Sequence, residues 1–502
     1  MMKLKKRIPL IDQHDKSGFW GGKFGGNFIP ETLKRPIEDL TILFEKLRHD
    51  KKFLKQRDFY FKNYIIYFTC LLDTDNTHTM IADNDVCVLS YARTPIGSFG
   101  GKLKSFSATH LGSIAITGAL SKARLCGLDP NLVDEVFIGN VLSAGLGQAP
   151  ARQAALGANI PTSVPCTTIN KVCSSGMKAV ALGASQIRLQ QAHVVVVGGM
   201  ESMTNTPFYS SSTRFGNRFG NVTLVDGLAK DGLEDAYSKD KMGNCAELCA
   251  SELKYTRKEQ DSYTAQSYAR ALTAHRSGKF DTEIIQVKLP KRRGAAAAEI
   301  MSSDEECFSR PTTEKTLGEM RTAGFTPPAG AEPTVTAGSS STISDGAAAL
   351  VLCSGAHARR TGVSVLAVIR GWGDAAKQPE WFTTAPSDAI PIALERAGLT
   401  MDDVDYFEIN EAFSVVALAN RDILRIDPSS LNVYGGAVSL GHPLGCSGAR
   451  ILCTLLSVLQ NEDGRIGCAG ICNGGGGASA MVVERVLKNP QQQQQNKTSS
   501  RL

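Results

Sequence analysis

The chain has 502 residues, 42% hydrophobic and 21% charged, which is enough for two or three domains with sizeable cores. Its net charge of +6 is uneven: residues 1–79 carry 15 Lys/Arg against 10 Asp/Glu, and the remainder is almost balanced, which excludes a basic nucleic-acid face. Thirteen cysteines without a CxxC pair or metal-ligand spacing exclude a disulfide or zinc framework and read as reduced, intracellular thiols.

Residues 1–79 mix basic runs (Lys3-Leu4-Lys5-Lys6-Arg7, Lys51-Lys52) with aromatic clusters and show no clean periodicity. Asp12, Asp15, Glu31, Glu38 and Asp39 argue against a mitochondrial presequence, which is poor in acids. Residues 1–84 therefore read as a flexible N-terminal extension, with Met80 a candidate start. The apolar stretch 64–72 is too short to span a bilayer, so no membrane segment is expected.

Val86-Cys87-Val88-Leu89-Ser90 predicts a first buried strand, with Arg93-Thr94-Pro95-Ile96-Gly97 as a loop after it. Helix-period residues run over 111–123, and Val136-Phe137-Ile138-Gly139-Asn140 predicts the next strand. Residues 179–189 read as a helix and 194–199 as a strand buried on both faces. Alternating strands and helices imply a mostly parallel, helix-covered sheet. Residues 205–337 are richer in charge, Gly and Ser, with helices at 242–253 and 258–276 and loops at 294–298 and 327–330. The plan then repeats. Gly127-Leu128 leads through Val133-Asp134 to a strand ending at Asn140, and Gly398-Leu399 leads through Val404-Asp405 to one ending at Asn410. Residues 488–502, with the Gln491–Gln495 run, read as a disordered tail.

Three segments carry acyl-transfer chemistry together: a nucleophile, a base, and amides able to approach a ligand closely. Asn170-Lys171-Val172-Cys173-Ser174-Ser175-Gly176 puts a cysteine at a strand-to-helix turn, where a helix N-terminus would lower its pKa. Gly441-His442-Pro443-Leu444-Gly445 aims a histidine from a rigid loop. Cys472-Asn473-Gly474-Gly475-Gly476-Gly477 places a second cysteine before glycines, and lacks the Lys and spacing of a phosphate-binding loop. Taken singly, Cys173 and Cys472 read as core cysteines, His442 as a turn residue, and Asn410 as the cap of a helix starting at Glu411.

These three segments, with Asn410-Glu411-Ala412-Phe413, resemble the thiolase family, in its acetyl-CoA C-acetyltransferase (acetoacetyl-CoA thiolase) form, over about 85–484. The resemblance implies an α/β thiolase fold: two similar βαβαβαββ halves in five αβαβα layers with an inserted loop domain. The first half would span 85–364, including a loop domain at about 205–337, and the second 365–487. It implies that Cys173 is acylated, that His442 takes its proton, and that Cys472 removes the α-proton of a second acetyl group. The Cys173 and Gly474 amides would form one oxyanion hole, and Asn410 with a water and His442 the other. Ser341, Arg310, Lys315, Met242 and Phe413 would contact acetyl-CoA and CoA. Ser339, Ser344 and Lys241 depart from the residues usual there. Glu411 would be structural.

No metal or redox cofactor is required by the resemblance, although Tyr237, Ala337, Gly338, Ser340 and Val438 match a potassium site of some relatives. A longer-chain 3-ketoacyl-CoA thiolase shares every catalytic residue. The runs Gly371-Trp372-Gly373-Asp374 and 379–386 resemble the acetoacetyl type more. A thiolase-like lipid-transfer protein would need neither the second cysteine nor Asn-Glu-Ala-Phe, and a decarboxylating ketoacyl synthase carries a second histidine where Asn410 stands. Relatives imply a homo-oligomer, with a tetramer favoured over a dimer. The terminal Ser500-Arg501-Leu502 is a variant of a peroxisomal signal read by an import receptor. The alternatives are a cytoplasmic enzyme of the isoprenoid pathway and, less favoured, a mitochondrial one.

Overall fold

The two halves of the chain share the connectivity of four strands, and the first half adds a fifth at its outer edge. The computed structural model describes residues 81–291, 297–310 and 312–487. All of these fall within one unit, residues 78–502. The expected N-terminal extension up to residue 80, part of the 294–298 loop, and the C-terminal tail with its tripeptide lie outside the described residues.

The first half runs β1 (Val86–Arg93), α1 (Ala108–Leu125), β2 (Glu135–Gly139), α2 (Pro150–Gly157), β3 (Cys166–Ile169), α3 (Ser175–Arg188) and β4 (Val194–Ser202). The intervening segment contributes α4 (Met242–Glu252) and α5 (Arg257–Arg276), the latter opened by a Thr256/Glu259 capping box. β5 (Ser344–Ser354) then closes the first half. The second half runs β6 (Ala367–Ala376), α6 (Pro386–Ala397), β7 (Tyr406–Ile409), α7 (Ser414–Leu424), α8 (Leu444–Asn461), β8 (Ile466–Asn473) and β9 (Gly477–Arg485). Arg93, expected in a loop, ends β1 instead. Its fully buried guanidinium is held by Glu283 at 2.5 Å and by Asp304 at 2.7 and 2.9 Å, which ties β1 to the inserted segment.

The strands pair in the order β7-β8-β9-β6-β1-β5-β4-β2-β3. Val86–Val88 pair with Ala367–Ile369 and so join the two half-sheets. The expectation of a mostly parallel sheet is corrected. Only β2·β3, β2·β4 and β7·β8 are parallel, whereas β4·β5, β1·β5, β1·β6, β6·β9 and β8·β9 are antiparallel. A strand buried on both faces reads as a continuous apolar run whichever way it points. Side chains in such a strand alternate between two cores. Val194 and Val196 pack outward with Leu111 and Ile116 of α1, while Val195 and Val197 pack inward with Met177 of α3 and Leu452 of α8. On the other outer face, Ile390 and Leu394 of α6 cover Phe407, Cys468 and Val482. Helix, sheet, paired helices, sheet and helix give the five layers.

The two inner helices cross closely at their first turns because each offers a glycine. A Cβ at Gly176 would lie 2.8 Å from the Ala449 nitrogen, and one at Gly448 would lie 2.4 Å from the Met177 nitrogen. This crossing brings the segment before α3, with Cys173, up to the segment before α8, with His442.

Candidate active site

The nucleophile turn is held by its own side chains. Asn170 Oδ1 accepts from the Val172 amide at 3.0 Å, and Ser175 Oγ accepts from Lys171 N at 2.8 Å and donates to Val172 O at 2.6 Å. Val172 is left at φ +46°, a left-handed conformation that a β-branched residue rarely adopts. Ser174, the N-cap of α3, donates to Asn473 Oδ1 at 2.8 Å, so the turn is stitched to the end of β8. Cys173 keeps partial exposure, while its side chain packs against the group formed by Val141, Leu142, Met203, Leu228 and Leu444. Burial pushes its thiol up to about 11, although the amides of Gly474 and of Cys173 itself pull in the opposite direction. The depressed pKa expected from a helix N-terminus is therefore corrected: desolvation outweighs the amides, and the thiol rests protonated.

His442 supplies a base. Gly441 (φ +116°) precedes it, and a Cβ there would meet Ser344 Oγ at 2.4 Å. The His442 amide donates to Thr342 O at 3.1 Å, and Nδ1 lies 2.6 Å from Ser447 Oγ. Ser447 has a single hydroxyl proton, which it donates to Pro443 O at 2.9 Å. With that proton on Pro443 O, its oxygen accepts from Nδ1–H, an assignment that places the lone pair on Nε2. Nε2 is buried and has no hydrogen-bond partner among the described residues. Burial, helped by the charge of Arg450, pushes the imidazole down to about 3, so it is neutral near pH 7.

Cys472 is fully buried near the end of β8, and burial pushes its thiol well above the ordinary range, with Cys173 adding to the rise. The Gly474 amide lies by the Cys173 thiol and favours its thiolate form. A Cβ on Gly474 would stand 3.4 Å from Met242 Sδ and 3.7 Å from Val172 Cγ1, in the gap between them. Asn410 does not cap a helix at Glu411: α7 begins at Ser414 with Phe413 as its N-cap. Asn410 is 1% exposed, yet neither its Oδ1 nor its Nδ2 has a hydrogen-bond partner among the described residues. A buried amide left open in this way suits an ordered water or a ligand.

Ser341 and Thr342 link these parts, because Ser341 N donates to Ala412 O at 3.0 Å and Thr342 O receives the His442 amide. Glu411 is a structural joint: its carboxylate accepts from Tyr263, Ser267, Asn432 and the Val438 amide. Met242 and Phe413 join Cys472 in one apolar cluster, where Phe325 meets the Phe413 ring edge-on at 6.2 Å. Arg310, by contrast, pairs with Glu306 at 2.8 Å, and Lys315 is exposed on a short helix. Among the described residues, neither bonds to a group around Cys173. The five residues expected at a potassium site are unevenly placed. Val438 and Gly338 are buried, Ala337 is exposed, Tyr237 is 76% exposed, and Ser340 Oγ donates to Thr336 O at 2.7 Å. The described residues contain no cluster of metal-ligating side chains and no helix long and apolar enough to cross a membrane.

Sequence reasoning missed Ser447, Asn473 and Glu201. Ser447 follows His442 by five residues and lies in the first turn of α8, from which its hydroxyl reaches the ring. Glu201 is an acid prolonging a buried strand run, a signal visible at Val194–Met200. The Asn473–Ser174 bond joins distant segments and had no local signal.

The sequence family described as "Thiolase, N-terminal domain" matches residues 86–356, and "Thiolase, C-terminal domain" matches 363–485. The chain is 55% identical over 402 residues to Acetyl-CoA acetyltransferase 2 of Arabidopsis thaliana, covering 80% of this chain and 97% of that one. It is 52% identical over 395 residues to the acetyl-CoA acetyltransferase of Schizosaccharomyces pombe, covering 79% and 97% respectively. Among solved structures, the Acat5 thiolase of Ascaris suum in complex with coenzyme A matches with a TM-score of 0.73 and 41% identity, covering 80% of this chain and 100% of that one.

Proposed function

The chain belongs to the thiolase family, and on that premise we propose that it is an acetyl-CoA C-acetyltransferase, which joins two acetyl-CoA reversibly into acetoacetyl-CoA and CoA. The observation that carries this reading is the α3–α8 crossing. There a protonated thiol faces two backbone amides, and an imidazole keeps an unpartnered nitrogen.

In the first half-reaction, His442 Nε2 takes the Cys173 proton as Sγ attacks the thioester carbonyl. Cys472 gives its proton to the departing CoA sulfur and is left as a thiolate. The Cys173 and Gly474 amides hold the acyl oxygen. In the second half-reaction, the Cys472 thiolate removes the α-proton of a second acetyl-CoA. Burial makes that thiolate a strong base, matched to a weak carbon acid. The enolate oxygen is held by His442 Nε2–H and by a water on Asn410. Carbon–carbon bond formation expels Cys173, which recovers its proton from His442. The closed apolar cluster of Met242, Phe325 and Phe413 supports a short acyl group.

CoA-dependent cleavage of acetoacetyl-CoA, compared with a long 3-ketoacyl-CoA, tests the reading. A higher kcat/KM on acetoacetyl-CoA is expected, and preference for the long chain would turn the assignment to a β-oxidation thiolase. Homo-oligomerisation belongs to the same proposal, a tetramer rather than a dimer. Exposed Phe208, Phe215, Phe219 and Leu224 form an apolar segment that a second copy would cover, and light scattering reads the mass. Peroxisomal import rests on Ser500-Arg501-Leu502. Fusing residues 491–502 to a fluorescent protein should give puncta that vanish without Leu502, and a diffuse signal from the intact tail would defeat it.

A further inference from the structure

We propose that Glu201 is a positioning residue for the Cys173–His442 pair: its enclosed carboxylate gathers the segments that wall the nucleophile and sets the His442 loop against it. Glu201 is the next-to-last residue of β4, a strand buried along its whole length, and is itself 0% exposed. Oε1 accepts from Asn140 Nδ2 at 2.8 Å and from Leu142 N at 3.1 Å, and Oε2 accepts from Val141 N at 3.1 Å and from Gly445 N at 2.8 Å. None of these donors is a cation. The Gly445 amide lies in the first turn of α8, three residues after His442, where a helix leaves amides unpaired and its dipole favours an anion. A Cβ at Gly445 would lie 2.8 Å from Asn140 Cα and 2.9 Å from Glu201 Oε2, so the approach depends on glycine.

The residues carrying or flanking these amides, Val141, Leu142 and Leu444, are the same ones that pack around Cys173. One carboxylate thus fixes the register of a first-half loop against a second-half helix, at the point where nucleophile and base meet. It also contributes charge. Glu201 raises the Cys173 thiol, while burial pushes its own carboxyl up to about 7 against the pull of its amides, with Asp345 raising it further. Cys446 is the other ionisable group facing it.

This proposal rests on Cys173 being the nucleophile. Glu201→Gln keeps the shape but turns one oxygen into an NH2 group facing two donors, so one arm of the clasp must open. We expect kcat for acetoacetyl-CoA cleavage to fall about ten- to a hundredfold with KM within about twofold. The pH profile of Cys173 alkylation by iodoacetamide should move to lower pH, because a negative neighbour is gone. Asn140→Ala removes one donor but keeps the charge, and should lower kcat by a smaller factor without moving that profile. A folded Glu201→Gln variant with wild-type kcat, or one with reduced kcat and an unmoved alkylation profile, overturns the proposal. If Glu201→Gln does not fold, wild-type kcat in Asn140→Ala overturns it. Absence of acetyl on Cys173 in the wild-type enzyme would instead defeat the active-site reading itself.

Discussion

Ser447→Ala removes the acceptor that fixes the tautomer of His442, and in this mechanism Ser447 itself makes no contact with substrate. In the native site the Ser447 oxygen lies 2.6 Å from Nδ1 and passes its own proton to Pro443 O. Without it, a buried Nδ1–H loses its partner, at a cost of about 1–3 kcal/mol. The ring can relieve that cost by moving its proton to Nε2, where the base must be unprotonated. If the tautomer preference falls by about 1.4–2.8 kcal/mol, kcat drops about ten- to a hundredfold. KM should change little, because Ser447 is fully buried behind the ring. Steady-state cleavage of acetoacetyl-CoA measures the rate, and urea unfolding checks that the stability loss stays within the same few kcal/mol. A Ser447→Ala enzyme with native kcat would refute both the tautomer assignment and the role of Nε2 as base.

Cys472→Ser should retain acetylation of Cys173 while condensation falls by at least about a hundredfold, since a hydroxyl is a far poorer proton shuttle than a thiol; near-native condensation would return Cys472 to the core. Arg93→Met should destabilise by about 3–5 kcal/mol in urea, because Glu283 and Asp304 would be left buried without their cation, and Asp304→Asn added to it should recover part of the loss. His442 gives a pH dependence of definite sign. Its folded pKa of about 3 lies below the unfolded value, so above pH ~6.5 neither state is protonated and the residue is neutral to stability. Below that pH the unfolded chain alone takes the proton, and stability falls by about 1.4 kcal/mol per pH unit until the folded pKa is approached. Unfolding between about pH 4.5 and 6.5 should show a shallower slope in His442→Gln; an unchanged slope would mean that the imidazole is solvated.

Patterns that repeat locally were legible in the sequence, and those that depend on distant segments were not. Val194–Val197 announced a strand buried on both faces, but not that β5 would return antiparallel beside it. The turn around Cys173 was legible from its motif. Its thiol pKa was not, because the wall that desolvates it comes from Val141, Leu142 and Leu444. Asn410 had a plausible local role as a helix cap, and only the start of α7 at Ser414 shows that its side chain is left open. Arg93 read as a loop residue because its partners, Glu283 and Asp304, lie about two hundred residues away in sequence.

The proposed chemistry passes through a covalent acetyl group on Cys173. Brief treatment of the enzyme with acetyl-CoA, acid quenching and peptide mass spectrometry tests it directly. One added acetyl group is expected, on the peptide containing Cys173, present in Cys472→Ser and absent from Cys173→Ala. Acetyl found on another cysteine, or acetoacetyl-CoA formed by Cys173→Ala, would contradict it.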